Sequence, residues 1–119
     1  MLVSQAIYKN IAPIFKSRIW PNAAPEDAAS PFMVYTEDSS EKLNTLSDGF
    51  INHSKSKVQM YIFSKDYNDI KRLKDEVILA MTTQTDLSSC IVISDQYQFE
   101  TQTESHLIVI EFSMWEQTE

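Results

Sequence analysis

Val3, Ile7, Ile11 and Ile14 recur at the spacing of one helical face, with Ala6 and Asn10 beside them and Ser4 and Lys9 on the polar sides. Pro13 ends or kinks this helix near Ile11 or Ala12, and it can open a short further turn through Lys16. Residues 18–35 then carry no periodic apolar pattern and hold Pro21, Pro25 and Pro31, three of the four prolines. Proline locks its own φ and biases the preceding residue away from the helical region, so Trp20, Ala24 and Ser30 are expected to be extended. The segment reads as a stiffened strap that delivers Phe32, Met33, Val34 and Tyr35 into a strand over 32–36.

A longer strand is expected over 51–64, where Val58, Met60 and Ile62 alternate with Gln59, Tyr61 and Phe63. The polar stretch between the two strands contains Asp48-Gly49, a hairpin-turn dipeptide, and predicts an antiparallel hairpin with long, exposed arms. The strongest helical pattern runs over 67–81. Ile70, Leu73, Val77, Ala80 and Met81 share one face, and Asp69, Lys71, Arg72, Lys74 and Asp75 occupy the other. Asp66 or Ser64 is placed to cap it, and residues 82–86 read as polar loop.

A strand over 90–99 has Ile91 and Ile93, then Tyr97 and Phe99, at intervals of two. Another over 106–115 sets Ile108, Ile110, Phe112 and Met114 on one face and Leu107, Val109 and Trp115 on the other. The order is α-β-β-α-β-β. It predicts one α+β domain spanning 1–119, a four-stranded antiparallel sheet with two helices packed on one face. Tyr61, Phe63, Leu107, Val109 and Trp115 are left on the other face, which predicts self-association.

Composition narrows the function. The chain has 119 residues and a net charge of −7, with no basic run, so it lacks the concentrated positive charge that a nucleic-acid surface needs. Its single glycine, Gly49, leaves no glycine-rich phosphate loop, and no nucleotide cofactor is expected. No window is long or apolar enough to span a bilayer, and the N-terminus lacks the pattern of a signal peptide. One cysteine, Cys90, permits no internal disulfide.

Chemistry is sparse. Cys90 with His53 or His106 is the one nucleophile–base combination on offer, but Cys90 opens a strand without a predicted activating neighbour and reads better as a small buried hydrophobe. His53 is expected to be solvated and His106 to make a surface hydrogen bond. One cysteine and two scattered histidines do not make a zinc site. Glu37, Asp38, Glu41 and Asp48 crowd the hairpin without the loop spacing of a calcium site, and Glu26 and Asp27 face solvent from the strap. Glu111 interrupts an apolar strand. It reads either as an outward or edge charge that blocks unwanted pairing or as one half of a contact across a subunit interface. No acid pair suits acid–base catalysis, so the chain is read as a non-enzyme with no cofactor and no metal.

The order of segments resembles a known family. A first helix, then Arg18-Ile19-Trp20-Pro21, an Ala/Pro-rich centre and the exit Pro31-Phe32-Met33-Val34-Tyr35 is similar to the tail completion, or tail terminator, proteins of long-tailed bacteriophages. The run Val58-Gln59-Met60-Tyr61-Ile62-Phe63 resembles their central strand, and the helix over 67–81 the one that follows it. Glu111-Phe112-Ser113-Met114-Trp115 resembles their closing strand. Of the glycines common around the family's strap and hairpins, only Gly49 remains here.

The resemblance implies a structural virion protein in the neck region of the tail, assembled in the host cytoplasm. It forms a ring, typically a hexamer, at the head-proximal end of the tail tube. Its implied partners are further copies of itself, the tail tube protein and the head–tail connector, with DNA passing through the pore without specific binding and no membrane involved. Contacts are expected from the hairpin, at Glu41, Leu43, Leu46 and Phe50, from an aromatic edge of Trp20, Tyr61 and Trp115, and from Glu111. Two other readings stand beside it: another neck or head-completion protein, and a small cytosolic ligand-binding α+β domain.

Overall fold

The spacing of the first apolar residues produces helix α1 (Val3–Ile11), whose Val3, Ala6, Ile7 and Ile11 are fully buried. Pro13 has no N–H with which to continue the ladder, and a chain of turns runs on to Ser17, where Lys16 and Ser17 adopt left-handed φ of 52° and 68°. This turn seats Phe15 in the core with no exposed surface. The structure, a computed structural model, describes residues 2–45, 49–87, 89–102 and 104–117, with side chains described except at 38–55 and 116–117.

The strap is not irregular throughout. Its entry forms a short strand, β1 (Ile19–Pro21), which pairs in parallel with the start of β2 (Phe32–Thr45) through Ile19↔Met33, Trp20↔Val34 and Pro21↔Tyr35. Arg18 Nε donates to the carbonyl of Pro31 at 2.9 Å, and the N–H of Asn22 to the carbonyl of Tyr35 at 2.9 Å, so both ends of β1 are tied to the exit of the strap. The expected four-stranded antiparallel sheet is therefore five-stranded, with one parallel edge. Three residues ending in proline are too few to show a strand's alternation in sequence.

β2 runs nine residues beyond the expected end at 36 and pairs antiparallel with β3 (Gly49–Ser64), with bulges between Glu37 and Ser39 and between Lys42 and Asn44. The polar composition of 37–45 hides it as a strand, because pairing with β3 supplies what propensity does not. The Asp48 half of the expected turn lies outside the described residues.

Helix α2 (Tyr67–Thr83) is capped as expected by Asp66, whose carboxylate accepts from the N–H groups of Asn68 and Asp69. It continues two residues past the expected end. The Thr82 and Thr83 hydroxyls return to the carbonyls of Ile78 and Leu79, at 2.7 and 2.6 Å, which lets polar residues close the last turn. β4 (Ser89–Glu100) and β5 (Ser105–Gln117) complete the order β1-β2-β3-β5-β4.

Both helices cover one face of the sheet. Val3, Ile7, Ile11, Ile70, Leu73, Val77 and Met81 pack on Met33, Val58, Met60, Ile62, Ile108, Ile110, Phe112 and Met114. Lys9 Nζ and Asn10 Nδ2 donate to the two oxygens of Asp86, binding α1 to the loop after α2. These hydrogen bonds, first that from Lys9, hold the Asp86 carboxyl below its usual range. Strands β2, β3 and β5 run on past the helices, and the molecule measures 54 × 23 × 23 Å.

Candidate assembly surface

On the face away from the helices, strand pairing lays side chains out in rows. One row is Trp20, Val34, Tyr61, Val109 and Gln96; the next is Phe32, Phe63, Leu107 and Gln98. Trp20 meets Phe32 edge-on with centroids 6.0 Å apart, and Phe32 stacks on Phe63 at 4.7 Å. Strap residues 22–25 stand beside Val34, Tyr61 and Phe63 and enclose a shallow apolar groove of about 440 Å³. Most of these side chains are only half-buried, although they lie on a continuous apolar surface. Such a surface is what a second protein surface covers.

The expected contact residues do not form a single patch. Trp20 and Tyr61 share a row, and of the three aromatics Trp20 alone lies on an edge strand. Trp115 faces the same way but sits six residues along β5 from Val109, roughly 20 Å at the rise of an antiparallel strand. The expected aromatic edge is thus a correction: Tyr61 and Trp115 belong to interior strands. Glu111 is outward, opposite Gln59 and Ser94, but on β5, which is interior, so its charge blocks no open edge. Glu41 and Leu43 fall in the arm of β2, Leu43 at its second bulge, and Phe50 opposite Asn44 in β3. Leu46 lies outside the described residues.

The more conspicuous exposed surface is the edge strand β4. Ile91, Ile93, Tyr97 and Phe99 are 58%, 49%, 42% and 49% exposed, which single-strand periodicity does not reveal. A bulge between Val92 and Ser94 shifts the alternation. Ile91 therefore pairs beside Ser113 on the open face, and Tyr97 beside Ile108 on the helical face. There Tyr97, Phe99, His106 and Tyr67 of α2 gather, with Tyr97 and Tyr67 rings 5.7 Å apart and the Tyr97 hydroxyl hydrogen-bonded to His106 Nδ1. The hydrogen bond expected of His106 is present, and its partner is an aromatic cluster of the same chain. Exposed tyrosine and phenylalanine on an edge are the residue types that anchor protein contacts.

Cys90 and His106 are far apart. Cys90 pairs with Met114 and His106 with Phe99, so eight residues of β5, roughly 27 Å, separate their positions. The side chain of His53 lies outside the described part. Partial burial raises the Cys90 thiol from its ordinary 9.0 to about 12. At pH 8 its thiolate is then about a thousandfold scarcer than in a free thiol of the ordinary value, and alkylation by iodoacetamide should be slower by at least that factor. Mass spectrometry during urea unfolding checks this: labelling should rise with the unfolding transition and not before it. Among the described residues no three histidine, cysteine or acidic side chains gather to hold a metal.

No protein-family model matches the sequence, and no curated protein matches it. Among solved structures, 30 chains match. One belongs to a structure described as "Virion of native gene transfer agent (GTA) particle", with a TM-score of 0.71 and 10% sequence identity. The likeness is one of fold. It covers 95% of this chain and 92% of that one, so it extends over nearly the whole of both. Among the described residues no helix is long and apolar enough to cross a membrane.

Proposed function

We propose that this chain is a non-catalytic structural component of a phage-like virion, of the tail-terminator type. Copies assemble into a ring at the head-proximal end of the tail tube, end its growth and join it to the head connector. The observation that carries this reading is the end-to-end likeness of fold to a chain of a gene transfer agent virion, at matched length. The segment order described for the sequence supports the terminator type, and the uncovered apolar face supports self-association. The net charge of −7 per copy, repeated around a pore, repels DNA phosphates and suits a conduit through which DNA passes unbound.

The test is mass in solution combined with negative-stain imaging at high protein concentration. The expected result is a ring of about six copies with a central hole, a closed cyclic assembly. A compact dimer that binds a small molecule overturns the reading.

A further inference from the structure

Strand register sets one carboxylate and one ammonium on adjacent rows of the open face. Glu111 of β5 is half-buried, one row from Val109 and opposite Gln59. Lys57 of β3 is exposed one row nearer the hairpin arms, opposite Ser113. Both point away from the helices, because Val58 and Phe112, the next residue in each strand, are fully buried on the helical side. Among the described residues neither takes part in an ion pair. A half-buried carboxylate calls for a cation brought to it.

These two rows lie at the middle of the face. β5 (Ser105–Gln117) has Glu111 at its centre, and β3 (Gly49–Ser64) has Lys57 beside its centre. Consider two such faces stacked, with a two-fold axis between them running across the strands at this level. The sheets then overlay along their whole length, and the axis exchanges the Glu111 row for the Lys57 row. Glu111 of each copy faces Lys57 of the other. Stacked sheets lie about 10 Å apart, a gap that a glutamate and a lysine reach across together. The rows one step further out exchange as well, so Trp115 of each copy lies against the row of Tyr61 and Val109 of the other. Aromatic and apolar residues set far apart within one chain thus meet between chains.

We propose that two copies of the free protein pack their open faces together as a two-fold sandwich, with Glu111 of each paired to Lys57 of the other. The area suffices. From the row of Phe63 to that of Trp115 the face extends roughly 27 Å at the strand rise, on a molecule 23 Å wide. That footprint is roughly 600 Å² before side-chain relief is added, near the about 800 Å² of accessible surface per partner in a stable interface. The other two-fold, with its axis along the strands, sets each row on itself. It brings two half-buried Glu111 carboxylates together without a cation, which is costly. The pairing does not rest on the ring reading: it closes at two copies, whereas a ring needs contacts that run head to tail. It covers the apolar face of the free protein before any further assembly.

Sedimentation at about 10 µM tests this, since interfaces of standard size bind at about micromolar affinity or tighter. The wild type should have dimer mass. Glu111→Lys and Lys57→Glu, each shown by circular dichroism to be folded, should each weaken the dimer by at least about tenfold, because each sets like charges together at two equivalent places. The double variant Glu111→Lys/Lys57→Glu should restore the dimer, because the two-fold pairs the exchanged charges. Glu111→Lys also lowers the net negative charge, so general repulsion alone predicts a tighter dimer from it, the opposite result. The proposal is overturned by a monomeric wild type, by single variants that dimerise as the wild type does, or by a double variant no tighter than the singles. Should a variant fail to fold, carbodiimide crosslinking of an equal mixture of isotopically light and heavy wild type decides. Crosslinks between Lys57 and Glu111 that join light to heavy chains support the contact, and dimers without them overturn it. Rings that form from monomers with no dimer between overturn this pairing and leave the ring reading standing. A dimer that forms no ring at any concentration supports the pairing and overturns the ring reading.

Discussion

Phe112→Ala is expected to destabilise the fold by about 3–5 kcal/mol, the range for truncating a buried phenylalanine. A domain of this size has about 5–15 kcal/mol of stability in total, so the variant should be close to unfolded at physiological temperature. Phe112 is fully buried on β5, between Val58 of β3 and Val92 of β4, beneath both helices. Removing the ring leaves a void bounded on the sheet side by hydrogen-bonded strands that cannot close on it, which places the cost near the top of the range. Urea denaturation followed by circular dichroism measures the loss. Iodoacetamide should now label Cys90 at low denaturant, because its neighbours Met114 and Val92 pack on the same core. A midpoint within error of the wild type would show that Phe112 does not anchor the core.

Replacing residues 40–55 by a two-residue turn should have the opposite pattern, with the fold retained and assembly lost. The described members of the buried core cluster that lie nearest that segment in the chain are Tyr35 and Val58. The excision removes part of the β2 edge together with the arm of β3, and it leaves the end of β5 without its pairing to residues 53–55. The truncated protein should be a folded monomer with a urea midpoint near that of the wild type, and it should form no rings at concentrations where the wild type does. In a tail-joining assay it should fail to connect heads to tails. Rings from the shortened chain would remove the hairpin from the contact.

The two substitutions act on parts of the chain that differ in how they could be read. Phe112 was legible because helix and strand periods are local: Ile108, Ile110, Phe112 and Met114 alternate, and the sheet buries that set. Asp66 was legible as a cap for the same reason, since its partners lie within three residues. The arm of β2 was not. Residues 37–45 are polar and become strand through pairing with a segment that follows them in the chain, so the cause is not in their own composition. Likewise, three residues of β1 acquire strand structure from Met33, Val34 and Tyr35.

By itself, the sequence determined the α+β class, both helices, the core residues and the apolar second face, because spacing of 3.6 or 2 records which side chains meet a common interior. It also set the charge and the poverty of reactive side chains. Only the tertiary structure decided which strands are edges, how far the arms extend and where exposed apolar residues gather. Strand order and the bulge beside Ile93 are properties of pairing between distant segments. An open edge is defined by the neighbour it lacks, and no local pattern records that.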